Sequence, residues 1–300
     1  MCQCWSLAGA RSECAQMRHL ILSLVVAPFL VNGAPSLLAQ HAQVPYERVL
    51  VPVLGTVNGA YGSIWKTEFI GQNESDEAVD VTSCPVCLGI PETPLVPPHS
   101  TFVPQVAPDS RRSGGGVFVY VGQPGTGKVT FNLRVQDTSR QEQTWGTSIP
   151  VVREKDVYTT TLHLLDVPVD PRFRSALRVY DFDTNDGDPK QVRVRVYDLC
   201  GAFFTPLPVD CPTGAARIDT VLTLTGGAGP QYPSTATVGD IVNAFPELGN
   251  VQPIPQPFGD ARPAAVRIDI DPVTPNLRFW AFVSATNNAT QHVTAILPSE

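Results

Sequence analysis

Short segments in which apolar and polar residues alternate recur along most of the chain. The segment IWKTEFI at 64–70 alternates tryptophan, threonine and phenylalanine with lysine and glutamate, and QVRVRVYD at 191–198 alternates valine with arginine. A period of two residues predicts a strand with one buried and one wet face, which is typical of antiparallel sheets. The pattern therefore predicts an all-β protein.

Two stretches resemble each other in this pattern. Residues 129–152 and 277–298 both run as strand, polar turn and strand, and both carry an isoleucine and a proline near the end. We interpret them as the closing hairpins of two related units with about seven strands each. The predicted domains are two tandem antiparallel β-sandwiches, at 48–152 and 156–298.

The second unit is longer because it contains an insertion at 206–262. The insertion carries a helix signal from Thr237, a plausible cap, with Ile241, Val242 and Phe245 on one face. Pro246 should limit this helix to about two turns, because proline cannot continue the hydrogen-bond ladder.

Composition agrees with a β-protein and excludes one class of partner. The 300 residues include 29 prolines and 23 glycines, which suits many short strands joined by turns. Only 16% of the residues are charged, and the net charge is −7 without basic clusters. We therefore expect no nucleic-acid partner.

The N-terminal segment predicts export. Arg18 and His19 precede an apolar run from Leu20 to Val31, and small residues follow up to position 39. This is the pattern of a signal peptide at 1–39, with Met17 as an alternative start and Gln40 as the mature N-terminus. The run is shorter than the roughly 20 residues that span a bilayer, although a retained anchor is the alternative. We expect a secreted, periplasmic or cell-surface protein without a membrane span after cleavage.

Cysteine usage agrees with export. The mature chain would keep Cys84, Cys87, Cys200 and Cys211, and an even number in an exported chain predicts disulfides. Four cysteines allow three pairings, of which we favour Cys84–Cys87 and Cys200–Cys211 because each pair is close in sequence. A redox pair or a zinc site are the alternatives.

The stretch YGSIWKTEF at 61–69, followed by Asn73, resembles a strand-turn pattern of exported bacterial proteins. These proteins carry tandem immunoglobulin- or fibronectin-like β-sandwiches and have no assigned activity. The resemblance covers about 48–298. It implies fold and location, but no site residues.

Residues Gly122 to Lys128, GQPGTGK, nearly match a phosphate-binding loop. Val129 stands where the motif needs serine or threonine, and an alternating strand pattern follows where it needs a helix. We therefore interpret the segment as a hairpin turn and expect neither nucleotide nor cofactor.

The acidic run from 181 to 188 resembles a calcium loop, with Asp181, Asp183 and Asn185 as candidate ligands. Its glycine falls seventh instead of sixth, and Val192 stands where the loop needs glutamate. A polar turn explains the same residues, so we predict no metal site. Asn73-Glu-Ser75 and Asn288-Ala-Thr290 are glycosylation sequons that matter only in a glycosylating host.

These features predict a non-catalytic binding or scaffolding protein whose partner is a protein or a surface glycan. One alternative is a carbohydrate-binding module, which would need a coplanar set of exposed aromatic residues. The candidates for that set are Trp65, Trp145, Trp280, Tyr232 and Phe258. The other alternative is an enzyme whose site lies under a lid at 228–260.

The export hypothesis predicts the mass of the protein recovered from an exporting host. We expect a chain that begins at Gln40 and gains about 4 Da on reduction, two hydrogens for each of two disulfides. Intact mass spectrometry before and after reduction measures both quantities. An uncleaved, fully reduced chain would contradict export. A metal site or a redox pair would then become the better interpretation of Cys84 and Cys87.

Overall fold

The structure is a computed structural model that describes residues 46–84, 95–106, 115–140, 146–183, 188–199, 214–227, 229–253 and 263–299. Several predictions fall on residues outside this part. They are the signal peptide, the calcium candidate Asn185, the aromatic candidates Trp145 and Phe258, and the cysteines Cys87, Cys200 and Cys211.

The described residues form antiparallel sheets, which confirms the all-β prediction. The strands before position 160 are β1 (Tyr46–Val51), β2 (Thr56–Asn58), β3 (Ile64–Asn73), β4 (Val81–Thr82), β5 (Thr101–Phe102), β6 (Val117–Gly122), β7 (Val129–Asp137), β8 (Thr147–Ile149) and β9 (Val152–Arg153). The later strands are β10 (Leu162–Pro168), β11 (Phe173–Asp181), β12 (Lys190–Asp198), β13 (Ile218–Leu224), β14 (Thr235–Val238), β15 (Ala265–Pro272), β16 (Phe279–Asn287) and β17 (Val293–Ile296).

The strands form four sheets, which we number in their stacking order. Sheet 1 has the order β2-β3-β7-β8, with β5 also paired to β3, and sheet 2 has the order β4-β6-β1-β9. Sheet 3 has the order β14-β11-β16-β17, and sheet 4 has the order β10-β15-β12-β13. Sheets 1 and 2 belong to the first half of the chain, and sheets 3 and 4 belong to the second.

The two halves repeat the same strand connections. In sheet 2 the order β4-β6-β1 matches β12-β15-β10 of sheet 4. In sheet 1 the chain β5-β3-β7-β8 matches β14-β11-β16-β17 of sheet 3. The two predicted closing hairpins are the corresponding pairs β7/β8 and β16/β17 of this repeat.

Buried residues divide into two clusters, and one of them crosses from the first half to the second. One cluster fills the space between sheets 3 and 4. The other joins sheets 1 and 2 and also includes Tyr180, Phe182, Trp280 and Phe282, which lie on the outer face of sheet 3. Residues 44–300 accordingly form one compact unit.

Aromatic rings make the contact between the halves. Phe118 of β6 meets Phe182 edge-on, with ring centroids 5.1 Å apart. The Tyr180 hydroxyl donates a hydrogen bond of 2.6 Å to the Pro52 carbonyl, and the Phe118 amide donates one of 2.8 Å to Gln231. Burial raises the pKa of Tyr180, so its hydroxyl stays protonated and keeps donating.

Arg48 lies at the border of this contact. Its guanidinium lies 4.9 Å from the Phe118 ring centroid and 5.0 Å from that of Phe182. It also forms an ion pair of 3.4 Å with Glu154, which lies in the short helical turn between the halves. The cation therefore adds cation–π attraction to a contact made mainly by aromatic rings.

The predicted helix is shorter than expected and begins later. It is α1, Ile241–Ala244, and its cap is Asp240, whose carboxylate accepts a hydrogen bond of 3.1 Å from the Val242 amide. Thr237 instead belongs to β14, because pairing with Arg178 of β11 keeps that segment extended.

A buried side-chain network ends strand β3. Asn73 is fully buried, and its amide nitrogen donates to the carbonyls of Glu77, Val96 and Pro97 at 2.8, 3.1 and 3.0 Å. Its carbonyl oxygen accepts from the Ser75 amide and hydroxyl. The sequon at Asn73 is therefore a structural turn in which the side-chain nitrogen is fully engaged.

The contact between the halves predicts coupled unfolding. We expect Phe118→Ala and Phe182→Ala each to cost about 3–5 kcal/mol, because each empties a fully packed aromatic site. Both should lower the midpoint of one common transition, monitored by circular dichroism during chemical denaturation. Ile70→Ala, at an exposed position of sheet 1, is the control and should change stability little. Two transitions, each sensitive to only one of the two phenylalanines, would contradict the shared core.

The Asn73 network predicts a large effect from a small change. Asn73→Asp replaces an amino donor by an oxygen that faces three carbonyls, so we expect a loss of about 3 kcal/mol or more. Gln72→Glu makes the same chemical change at the exposed neighbouring position and should be nearly neutral. Thermal denaturation at neutral pH measures both variants; equal midpoints would show that the network contributes little.

Candidate functional site

The segment that resembles a phosphate loop is a tight turn between β6 and β7. The Gly125 amide donates to the Gly122 carbonyl at 2.9 Å, and the Lys128 amide donates to the Gly125 carbonyl at 2.8 Å. The Gly127 amide binds the Glu47 carboxylate at 2.8 Å. A strand follows this turn, as the alternation predicted, and a carboxylate already occupies one of its amides.

The calcium candidates serve the fold around β11. Asp181 is buried, and its carboxylate accepts a hydrogen bond of 2.7 Å from the Asp183 amide. Both oxygens of Asp183 bind Arg278, one to its backbone amide and one to its guanidinium. The ion pair with Asp183 raises the pKa of Arg278, and the cation would compete with a metal ion for this carboxylate. Within the described ranges, no three His, Cys, Asp or Glu side chains are grouped to hold a metal.

Cys84 lies just after β4. It is buried, and its amide donates a hydrogen bond of 3.3 Å to the Thr82 hydroxyl. Cys87, Cys200 and Cys211 lie outside the described residues. The pairings Cys84–Cys87 and Cys200–Cys211 therefore stay predictions.

The candidate aromatic residues do not form a row on the described surface. Trp280 is 4% exposed in the contact between the halves. Trp65 and Tyr232 are half-buried and pack against the cluster of the first half. A carbohydrate site built from these three rings has no flat exposed platform.

The described part of the proposed lid, 229–253, contributes to the core. Strand β14 extends sheet 3, and Ile241, Leu248 and Val251 are buried in the cluster between sheets 3 and 4. These side chains pack into the core between sheets 3 and 4. The alternative of an enzyme with a lid at 228–260 therefore stays a prediction.

A surface groove lies where the first half meets the second. Its volume is 410 Å³, and it is lined by the segment 150–158, by Trp280 and by Leu297 and Pro298 at the end of the chain. This volume is in the range of small ligand sites. The Trp280 ring contributes little surface to it, however, and the groove's Lys155 and Asp156 are both exposed.

The outer face of sheet 4 carries an ordered set of charged and aromatic side chains. Strand alternation places their inner neighbours in the core, so these residues all point away from sheet 3. We call this surface the paired-charge face; it comprises His163, Arg193, Arg195, Tyr197, Asp219, Arg267, Asp269 and Asp271.

Each arginine of the paired-charge face contacts an aspartate on a neighbouring strand or the same strand. Arg193 binds Asp219 through two hydrogen bonds of 2.6 Å. Arg195 donates to Asp271 at 2.9 Å. These hydrogen bonds lower the pKa of Asp219 and raise the pKa values of Arg193 and Arg195, so the pairs stay ionised at neutral pH.

Asp269 is the centre of a second group on this face. Its side chain is only 6% exposed, and it contacts the His163 ring at 2.7 Å and the Arg267 guanidinium at 3.1 Å. The Tyr197 ring centroid lies 4.4 Å from Arg267 and 6.0 Å from Arg195. The aromatic ring and the charges therefore hold each other in fixed positions.

The paired-charge face has fixed donors and acceptors but no evident nucleophile. The His163–Asp269 pair has the geometry of a histidine oriented by a carboxylate, yet no serine, threonine or cysteine hydroxyl or thiol is hydrogen-bonded to this ring in the described structure. The fixed donors and acceptors of this face can form hydrogen bonds with a ligand. The Val/Arg alternation of 191–198 predicted the wet face; the aspartates on β13 and β15 were not identified, because their partners are distant in sequence.

Among the helices of the described residues, none is long and apolar enough to cross a membrane. No protein-family profile, curated protein or solved structure matches the chain. The function must therefore be inferred from the residues and contacts of this chain alone.

Proposed function

We propose that this is an exported, non-catalytic binding protein that contacts its partner through the paired-charge face of sheet 4. The observation that carries the proposal is the character of that face. It presents three arginines, three aspartates, a histidine and a tyrosine on one side of a sheet whose other side is fully packed. A rigid scaffold with such a surface suits recognition, because little side-chain freedom is lost on binding.

We further propose that each half is an immunoglobulin-like sandwich. The strand order supports it: in each half, the first, third and fifth strands of the repeat form one sheet, and the second, fourth, sixth and seventh form the other. Immunoglobulin sandwiches divide strands B, E and D from strands C, F and G in this way. This likeness agrees with the resemblance to exported bacterial proteins, as do the signal-peptide pattern and the even number of cysteines after residue 39.

The proposal predicts that sheet 4 mediates retention on cell-envelope material. We expect purified protein to co-sediment with the insoluble envelope fraction of its source cells. The double variant Arg193→Gln/Asp219→Asn should lose at least about tenfold in apparent affinity, since it removes a donor–acceptor pair without changing net charge.

The control is Glu68→Gln/Arg134→Gln, which alters a cross-strand ion pair on the outer face of sheet 1. It should sediment like the unaltered protein. Equal loss in both variants, or no sedimentation of the unaltered protein, would contradict the proposal. Thermal midpoints of all proteins should agree, because exposed ion pairs contribute little to stability.

A further inference from the structure

The paired-charge face differs from its counterpart in the first half in a way that bears on its ligand. The corresponding outer face of sheet 2 carries Leu50, Phe118 and Tyr120, and it is covered by sheet 3. The outer face of sheet 4 has the same strand connections but carries paired charges instead. The outer face of sheet 4 is therefore not suited to pack against an apolar sheet such as sheet 3.

The charges on this face balance. Its three arginines face three aspartates, and each arginine is already in contact with one of them. An anionic ligand would have to displace a bonded carboxylate, and a cationic ligand would have to displace a guanidinium. Neither gains the unopposed Coulomb attraction that steers charged partners.

A protein partner would have to dehydrate the same pairs. The free energy of removing an ion pair from water exceeds the attraction between its two charges. A partner surface must therefore supply new hydrogen bonds in place of the lost water. Interface cores are correspondingly depleted in aspartate. A ligand rich in hydroxyl groups meets this requirement, because each hydroxyl both donates and accepts and can take the place of water.

The spacing of the groups suits such a ligand. His163, Asp269, Arg195 and Asp219 lie opposite one another on four adjacent strands, in the order β10, β15, β12 and β13. Adjacent strands are about 4.8 Å apart. The distance from an acceptor on one strand to a donor on the next is therefore roughly the length of one sugar ring. Tyr197 is half-buried beside this row and adds an aromatic surface for the C–H face of a pyranose.

From these observations we infer that the paired-charge face binds an uncharged polysaccharide, with His163, Arg195 and Asp219 meeting hydroxyl groups and Tyr197 packing against a sugar ring. This inference rests on the proposed function and names the ligand class of the same surface. It does not require the row of exposed tryptophans that the sequence suggested.

The test is native affinity electrophoresis in gels that contain one soluble polymer each. The neutral polymers are mixed-linkage β-glucan, galactomannan, arabinoxylan and dextran; the charged ones are alginate and heparin. We expect at least one neutral polymer to retard the protein and the charged ones not to. Tyr197→Ala should weaken the retardation at least about tenfold, whereas Tyr197→Phe, which keeps the ring, should stay within about threefold.

Arg195→Gln provides a second variant that leaves the aromatic ring in place, and Glu68→Gln/Arg134→Gln on sheet 1 is again the control. Retardation by charged polymers alone would overturn the ligand class. Envelope binding that depends on Arg193 and Asp219, without retardation by any neutral polymer, would overturn the inference and leave the proposed function standing. Absence of envelope binding, together with absence of retardation, would overturn both.

Discussion

The arrangement of the molecule depends on the contact between the apolar outer face of sheet 2 and the aromatic outer face of sheet 3. Phe118 and Leu50 from the first half pack with Tyr180, Phe182, Trp280 and Phe282 from the second. Each large apolar side chain contributes about 1.5–3 kcal/mol when it is removed from water. Separated halves would expose these rings together, so the contact makes each half dependent on the other.

Polar groups within this contact fix its geometry. The Tyr180 hydroxyl reaches the Pro52 carbonyl, and the Phe118 amide reaches the Gln231 carbonyl across the two halves. These hydrogen bonds are directional, whereas apolar burial alone would tolerate sliding of one sheet over the other. The two end sheets have the opposite character: sheet 1 presents Lys66, Glu68 and Gln72 to solvent, and sheet 4 presents its paired charges. Apolar faces therefore lie in the middle of the stack, and polar faces lie at both ends of it.

The local pattern of the sequence predicted the strands well and the packing between sheets poorly. Alternation in β3 and β12 indicated which residues face water, because one side of each strand is wet. The continuous burial of Phe279 to Val283 in β16 has no such signature, since both faces of that strand are covered. The sheet that each apolar side chain of β16 packs against is set by strands that lie far away in the sequence. Trp280 could thus be expected in a core, but its position between the halves could not.

Contacts between distant segments decide the roles of single residues. Thr237 has the side chain of a helix cap, yet pairing of β14 with β11 keeps it extended, and Asp240 caps α1 instead. Asn73 belongs to a sequon, yet the close approach of the segment around Val96 turns its side chain into the centre of a buried turn. In both cases a contact between distant segments decides among roles that the local sequence leaves open.

Comparing the two repeats shows which strand positions the fold constrains and which it leaves free to vary. Sheets 2 and 4 have the same strand connections, and their inner faces are both apolar because each must cover a partner sheet. The outward positions are not constrained in this way, since a period of two lets each face of a strand change independently of the other. One sheet carries Leu50 and Phe118 outward and binds the other half, while the other carries Arg193, Arg195 and Tyr197 outward and stays in water. The chemistry that distinguishes the two halves is therefore concentrated on the outer face of sheet 4, which is where a partner has most to recognise.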